Sequence, residues 1–147
     1  MLDCDLTLAR AGFTLAARFR LTGPRFVALV GPSGAGKSTL LRAISGLSNE
    51  AVGTLRFGAD VWQDPAHFVP THLRPIGMVF QEATLFPHLD VRQNLHFGMA
   101  RVPPPARRIH FDDVVQLLGI TPLLARPTGA LSGGERQRVA LGRALLT

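Results

Sequence analysis

The first 21 residues alternate between apolar and polar side chains, which is the pattern of β-strands with one buried face. The alternation covers residues 2–9 and returns over residues 13–21, where every second side chain is apolar. Between the two runs, residues 10–12 end in a glycine and form a plausible turn. The chain is therefore expected to open with a β-hairpin.

Two later runs are apolar throughout, as in strands that are buried on both faces. One covers residues 26–30 and leads into a glycine-rich loop; the other covers residues 76–80 and ends at Gln81. Between them, residues 53–58 predict an edge strand, and the prolines from 65 to 75 indicate a long loop.

Helix signals dominate after Gln81. Residues 90–93 (Asp-x-x-Gln) and 132–135 (Ser-x-x-Glu) both have the capping-box form, which marks the first turn of a helix. Residues 111–118 have the spacing of an amphipathic helix, and the Thr-Pro pair at 121–122 predicts an N-cap and first position of a short helix. We expect helices at all four places.

The glycine-rich loop matches the phosphate-loop pattern G-x-x-x-x-G-K-[ST]. Glycines let successive backbone N–H groups approach phosphate oxygens, and the following helix points its positive end at the same group. Lys37 would place a cation between the β- and γ-phosphates, and the Ser38 hydroxyl would bind Mg²⁺. We therefore predict a nucleoside triphosphate and Mg²⁺ as ligands. The expected contacts are Gly31, Pro32, Ser33, Gly34, Ala35, Gly36, Lys37, Ser38 and Thr39.

Composition narrows the class of protein. With 46% hydrophobic and 18% charged residues the chain is globular, and no apolar run reaches the roughly 18 residues of a membrane span. Acidic residues occupy the place where a signal peptide would have basic ones, so we do not expect secretion, and the lone Cys4 fits one strand face. The net charge of +6 comes from dispersed arginines with Lys37 as the single lysine, so we do not expect nucleic-acid binding.

A phosphate loop, Gln81 at a strand end, a helical stretch and Leu131-Ser-Gly-Gly-Glu-Arg-Gln-Arg together resemble the ATP-binding cassette (ABC) family. The resemblance covers almost the whole chain. It implies an α/β fold, in which a RecA-like P-loop NTPase core with an N-terminal antiparallel β-hairpin fills residues 1–81. Residues 82–130 would form a helical subdomain, and residues 131–147 the signature motif and its helix.

The resemblance also implies a head-to-tail homodimer that binds ATP between the Lys37 loop of one protomer and the signature of the other. The signature contacts would come from Ser132, Gly133, Gly134 and Glu135. Gln81 corresponds to the family's Q-loop residue and takes the catalytic role, touching Mg²⁺ and the attacking water. Mg²⁺ would thus contact Ser38 and Gln81.

The sequence departs from the family pattern in two places. There is no tyrosine to stack on adenine; Phe13 is the nearest aromatic candidate, and it fits the apolar face of its strand equally well. Beyond Thr147 the family has a strand that ends in an Mg²⁺-binding Asp and a general-base Glu, and the chain holds no substitute. We therefore expect that the C-terminal part of the core is missing and that the chain as given is inactive alone.

Residues 79–99 look most like the ATP-binding subunit of molybdate importers. This resemblance implies ATP hydrolysis coupled to oxyanion import through an integral-membrane permease, at the cytoplasmic face of the bacterial inner membrane. A periplasmic substrate-binding protein would be an indirect partner. The alternatives are importers of sulfate, polyamines or sugars, and SMC- or Rad50-type DNA-maintenance ATPases. The latter are disfavoured by the missing coiled coil, and a soluble P-loop kinase or GTPase by the signature helix.

Overall fold

The computed structural model describes residues 1–10, 12–23 and 26–147, with the backbone alone for Arg10. The chain divides into two compact units, Met1–Arg74 and Pro75–Thr147. The predicted boundary at residues 81/82 stays a prediction.

The first unit contains a five-stranded antiparallel sheet with strand order β2-β1-β3-β4-β5. Its strands are β1 (Leu2–Arg10), β2 (Phe13–Leu21), β3 (Val52–Phe57), β4 (Asp60–Asp64) and β5 (His67–Phe68). The predicted hairpin is confirmed, because β1 pairs with β2 along its whole length and Gly12 adopts a left-handed φ of 76° in the connection.

Cys4 occupies the buried face of β1, as its place in the alternation predicts. It lies opposite Phe19 of β2 and Leu55 of β3, and its thiol donates to the carbonyl of Ala17 at 3.7 Å. Burial, followed by the charge of Asp5, raises the pKa of this thiol to about 11. Cys4 is therefore a core side chain held in its neutral form.

The expectation of an edge strand at residues 53–58 is wrong, because β3 lies between β1 and β4. The second neighbour, β4, was not predicted, since aspartates at both ends hide a short strand. Gly53 allows the close packing of β3 on β1: at its φ of 120°, a β-carbon would lie 2.1 Å from the carbonyl oxygen of Asp5. The sheet thus continues beyond the point at which the prolines suggested a loop.

The apolar runs at 26–30 and 76–80 do not form strands, so both of those predictions are wrong for this structure. A strand needs a hydrogen-bonded neighbour, and in the described part of the chain neither run pairs with one. Residues 26–30 are exposed along their whole length. Helix α1 (Lys37–Ser45) nevertheless begins where the phosphate-loop pattern places it and ends at Gly46, whose φ is 76°.

The second unit is helical. It contains α2 (Val91–Met99), α3 (Phe111–Leu117) and α4 (Gly133–Leu145), joined by loops with short 3₁₀ turns. Its buried core consists of Val91, Leu95, Val114, Val115, Ile120, Leu123, Leu124, Leu131, Val139 and Leu146. Among the helices that the structure describes, none is long and apolar enough to cross a membrane.

Both capping boxes are confirmed. At α2, the Asp90 carboxylate accepts from the Gln93 N–H at 2.7 Å, and the Gln93 side chain accepts from the Asp90 N–H at 3.0 Å. The Thr121-Pro122 pair differs from its prediction: Ile120 is the N-cap, and a single 3₁₀ turn, Thr121–Leu123, replaces the expected short α-helix.

Candidate functional site

The phosphate loop lies in the first unit, with residues 31–35 exposed. Gly34 and Gly36 adopt left-handed φ values of 80° and 86°, which L-residues with a side chain rarely adopt. The first helical bond of α1 runs from the Leu40 N–H to the Gly36 carbonyl at 2.8 Å. The N–H groups of residues 37–39 therefore precede the helical ladder and are available to an anion.

Lys37 folds back over the loop. Its Nζ donates to the carbonyls of Gly31, at 2.8 Å, and Pro32, at 2.7 Å. The ammonium group therefore lies at the loop, held by neutral acceptors that an anionic oxygen can displace. Ser38 is exposed beside it, while Thr39 is half-buried.

Phe13 contacts the phosphate loop directly. A β-carbon added at Gly36 would lie 2.7 Å from Cζ of Phe13 and 3.3 Å from Cδ1 of Leu15. Gly36 is thus required both by its backbone conformation and by this contact. The half-buried ring belongs to the inner face of β2 and also borders the loop, and its stacking on adenine stays a prediction.

Arg74 anchors the opposite end of α1 and was not predicted. The side chain is buried, and its guanidinium donates to the carbonyls of Ile44, at 2.5 Å, and Val69, at 2.8 Å. Longer contacts reach Ala43 at 3.4 Å and Trp62 at 3.5 Å. A cation bound to the C-terminal carbonyls of a helix is favoured by the helix dipole.

Two aromatic rings enclose the same guanidinium. Its carbon lies 5.4 Å from the Trp62 ring centroid and 5.1 Å from that of Phe68. Burial lowers the pKa of Arg74 from its ordinary value, but a guanidinium remains charged in proteins. Arg74 thus fixes α1, which carries the phosphate loop at its other end, to β4 and β5. A lone arginine in a proline-rich loop carries no local signal of this role.

The signature motif lies in the second unit and opens α4. Ser132 Oγ accepts from the Glu135 N–H at 3.3 Å, and a Glu135 carboxylate oxygen accepts from the Ser132 N–H at 2.7 Å. A β-carbon added at Gly133 or Gly134 would meet nothing within 4 Å. The first turn of α4 therefore presents two glycines without surrounding side chains.

Hydrogen bonds within the capping box also stabilise the ionised form of the Glu135 carboxyl. The bond from the Ser132 backbone, followed by that from its side chain, holds the pKa of this carboxyl below its usual range. Arg126, whose Nη1 lies 3.9 Å from a carboxylate oxygen, adds to the effect, as does Arg138.

Gln81 is exposed in the second unit. Together with Glu82 and Ala83 it borders a cavity of about 400 Å³, whose other side is formed by Gly133, Arg136 and Gln137 at the start of α4. The structure thus brings Gln81 close to the signature helix within one compact unit.

The ABC transporter family matches residues 16–147. The chain belongs to the ABC transporter family. Two structures of one bacterial ABC transporter cassette confirm the fold: a dimer (TM-score 0.73, 24% identity) and its post-hydrolysis state bound to ADP and phosphate (TM-score 0.75, 23% identity). Each match covers 99% of this chain and 69% of the cassette.

Among curated proteins, several molybdenum import ATP-binding proteins named ModC are similar. The one from Aromatoleum aromaticum is 56% identical over 138 residues, 92% of this chain and 37% of the relative. The one from Thiobacillus denitrificans is 58% identical over 134 residues, which are 91% of this chain and 37% of the relative. The Rhodobacter capsulatus protein is 50% identical over 147 residues, which are 100% of this chain and 40% of the relative. The chain thus spans about two fifths of the length of these ABC relatives.

Proposed function

We propose that this chain is part of the ATPase subunit of an ABC importer that couples ATP binding and hydrolysis to the import of molybdate. The observation that carries the proposal is the identity of 50–58% to molybdenum import ATPases, over nine tenths or more of the chain, combined with the phosphate loop. These relatives do not favour the sulfate, polyamine, sugar or DNA-maintenance alternatives.

The phosphate loop fits ATP by the chemistry of its donors. In the proposed complex, Lys37 leaves the carbonyls of Gly31 and Pro32 for the β- and γ-phosphates, and backbone N–H groups between residues 33 and 39 supply the remaining donors. The exposed Ser38 hydroxyl at the first turn of α1 fits a ligand of the nucleotide's Mg²⁺. That ion would neutralise charge on the phosphates during transfer.

The signature residues are proposed to act in a head-to-tail homodimer. Ser132, Gly133, Gly134 and Glu135 of one protomer would contact the ATP held by its partner. The unobstructed glycines and the N-terminus of a 13-residue helix support this assignment, because both favour an approaching anion. Gln81 is proposed to contact Mg²⁺ and the attacking water, as the sequence predicts.

The partner in the membrane is proposed to be an integral-membrane permease, which the subunit contacts from the cytoplasmic face of the inner membrane. An aromatic pair at the surface of the second unit fits such a contact: the rings of Phe86 and Phe97 lie 4.4 Å apart, and Phe97 is 46% exposed while Phe86 is half-buried. A periplasmic substrate-binding protein would act indirectly through the permease. No nucleic-acid partner is proposed.

The proposal is tested in the source organism by deleting the gene and measuring molybdoenzyme activity under molybdate limitation. The deletion strain receives the complete gene product or, where that product ends at Thr147, a chimera extended with the remaining residues of the Aromatoleum aromaticum relative. We call either protein the completed subunit.

We expect the completed subunit to restore activity and its Lys37→Ala variant not to do so, with all strains equal at high molybdate. A deletion strain that takes up molybdate normally, or equal rescue by the Lys37 variant, would refute the proposal.

A further inference from the structure

The segment of residues 81–86 lies along α4. At one end, residues 81–83 face Gly133, Arg136 and Gln137 across their shared cavity. Arg143 lies two turns further along the helix, about 10 Å from Arg136 at the helical rise per residue. There its side chain contacts the segment again. The segment therefore follows the helix whose first turn carries the signature motif.

Arg143 holds this segment by two kinds of contact. Its Nη2 donates to the Thr84 carbonyl at 2.6 Å, and its guanidinium carbon lies 5.0 Å from the Phe86 ring centroid. A planar guanidinium can donate in its plane while stacking on a ring, which the ammonium of lysine cannot do. In the part of the chain that the structure describes, its buried Nη1 has no hydrogen-bond partner. The described polar contacts of this side chain thus go to the segment.

Asn94, on α2, holds the backbone of Phe86 in place. Its side chain is fully buried; Oδ1 accepts from the Phe86 N–H at 2.9 Å, and Nδ2 donates to the Phe86 carbonyl at 3.2 Å. The same Nδ2 lies 3.2 Å from the Leu89 carbonyl and 2.9 Å from that of Asp90. The backbone of Phe86 is therefore bound to α2, while its ring is bound to α4.

We propose that Arg143 is a positioning residue that couples the segment after Gln81 to the signature helix. A displacement of residues 84–86 by the permease would move Arg143, and with it α4, since a helix of 13 residues moves as one rigid body. Ser132, Gly133 and Gly134 at its start would move in turn. The inference rests on the proposed function, because it assigns the permease contact to the surface around Phe86.

The test compares ATP hydrolysis by the completed subunit alone with hydrolysis by its complex with the permease in proteoliposomes. The variants are Arg143→Gln, which loses both contacts, and Arg143→Lys, which keeps the charge. Arg107→Gln is the matched control, because Arg107 also donates to a loop carbonyl, that of Val102 at 3.0 Å, outside the segment.

We expect Arg143→Gln to retain basal hydrolysis within about twofold and to lose about fivefold in permease stimulation, a size typical of coupling residues. Arg143→Lys should recover little, since it cannot stack and donate together. Hydrogen exchange of the amides of residues 82–86 should become faster in both variants. Arg107→Gln should behave as the wild type.

Unchanged stimulation, or unchanged exchange at residues 82–86, would overturn the inference. So would an equal loss in Arg107→Gln or a parallel loss of basal hydrolysis, since either result indicates general destabilisation. A wild-type completed subunit that hydrolyses ATP without binding the permease would instead refute the proposed function, and the inference with it.

Discussion

Replacing Arg74 with methionine should destabilise the first unit by about 3 kcal/mol. Two short bonds are lost, to the carbonyls of Ile44 at 2.5 Å and Val69 at 2.8 Å, and hydrogen bonds to a charged group contribute roughly 1.5–3 kcal/mol each. The contacts at 3.4 and 3.5 Å are too long to add much. Methionine keeps some packing against the two rings, so we adopt the lower end of the sum.

The assay is equilibrium urea unfolding of the completed subunit, followed by the fluorescence of Trp62. This residue is the single tryptophan of the 147 residues and lies under the Arg74 guanidinium, so its signal reports on the first unit. Any tryptophan beyond residue 147 is replaced by phenylalanine. A loss of 3 kcal/mol lowers the folding equilibrium constant by roughly a hundredfold, which is easily measured.

Arg56→Met provides the matched control, because Arg56 is exposed on β3 and the same atoms are removed. We expect that variant to stay within about 0.5 kcal/mol of the wild type. Arg74→Lys should fall between the two, since one ammonium cannot occupy the positions of a guanidinium fork. If Arg74→Met instead unfolds like Arg56→Met, Arg74 does not anchor α1.

Gly36→Ala should weaken ATP binding at least tenfold in calorimetry, because its φ is 86° and the new methyl group would meet Phe13; unchanged affinity would contradict the close contact. Stability should fall as pH rises from about 9 towards about 11, since the Cys4 pKa is raised from 9.0 to about 11, and Cys4→Ala should remove this fall in urea midpoints. Because the Glu135 pKa is lowered, the ionised Glu135 carboxylate stabilises the folded protein, and this contribution should disappear as pH falls through that pKa. A Glu135→Gln variant whose stability depends on acid pH in the same way as that of the wild type would refute this.

The features that were predicted correctly depend on short-range interactions. A capping box closes within three residues, and the alternation of β1 and β2 is set by neighbours across one turn, so both are visible in the sequence. The start of α1 follows from glycines and a lysine at fixed spacing. The same locality makes Ser132 and Glu135 recognisable as the start of a helix.

The features that were missed depend on distant partners. Residues 26–30 have the composition of a buried strand, yet strand formation requires a neighbour, and composition cannot supply one. Arg74 gains its role from carbonyls about 30 positions earlier in the chain. Arg143 reaches Thr84, 59 positions away. Such contacts appear only once the chain is folded.

In the proposed function, the loop around Lys37 binds the phosphates of ATP. Calorimetric titration of the completed subunit with Mg-ATP tests it directly, comparing the wild type with Lys37→Ala and with Arg42→Ala, an exposed arginine on the same helix. We expect at least a tenfold loss of affinity for the Lys37 variant, about 1.4 kcal/mol, and wild-type affinity for the control. Equal affinity in all three proteins would show that ATP binds elsewhere.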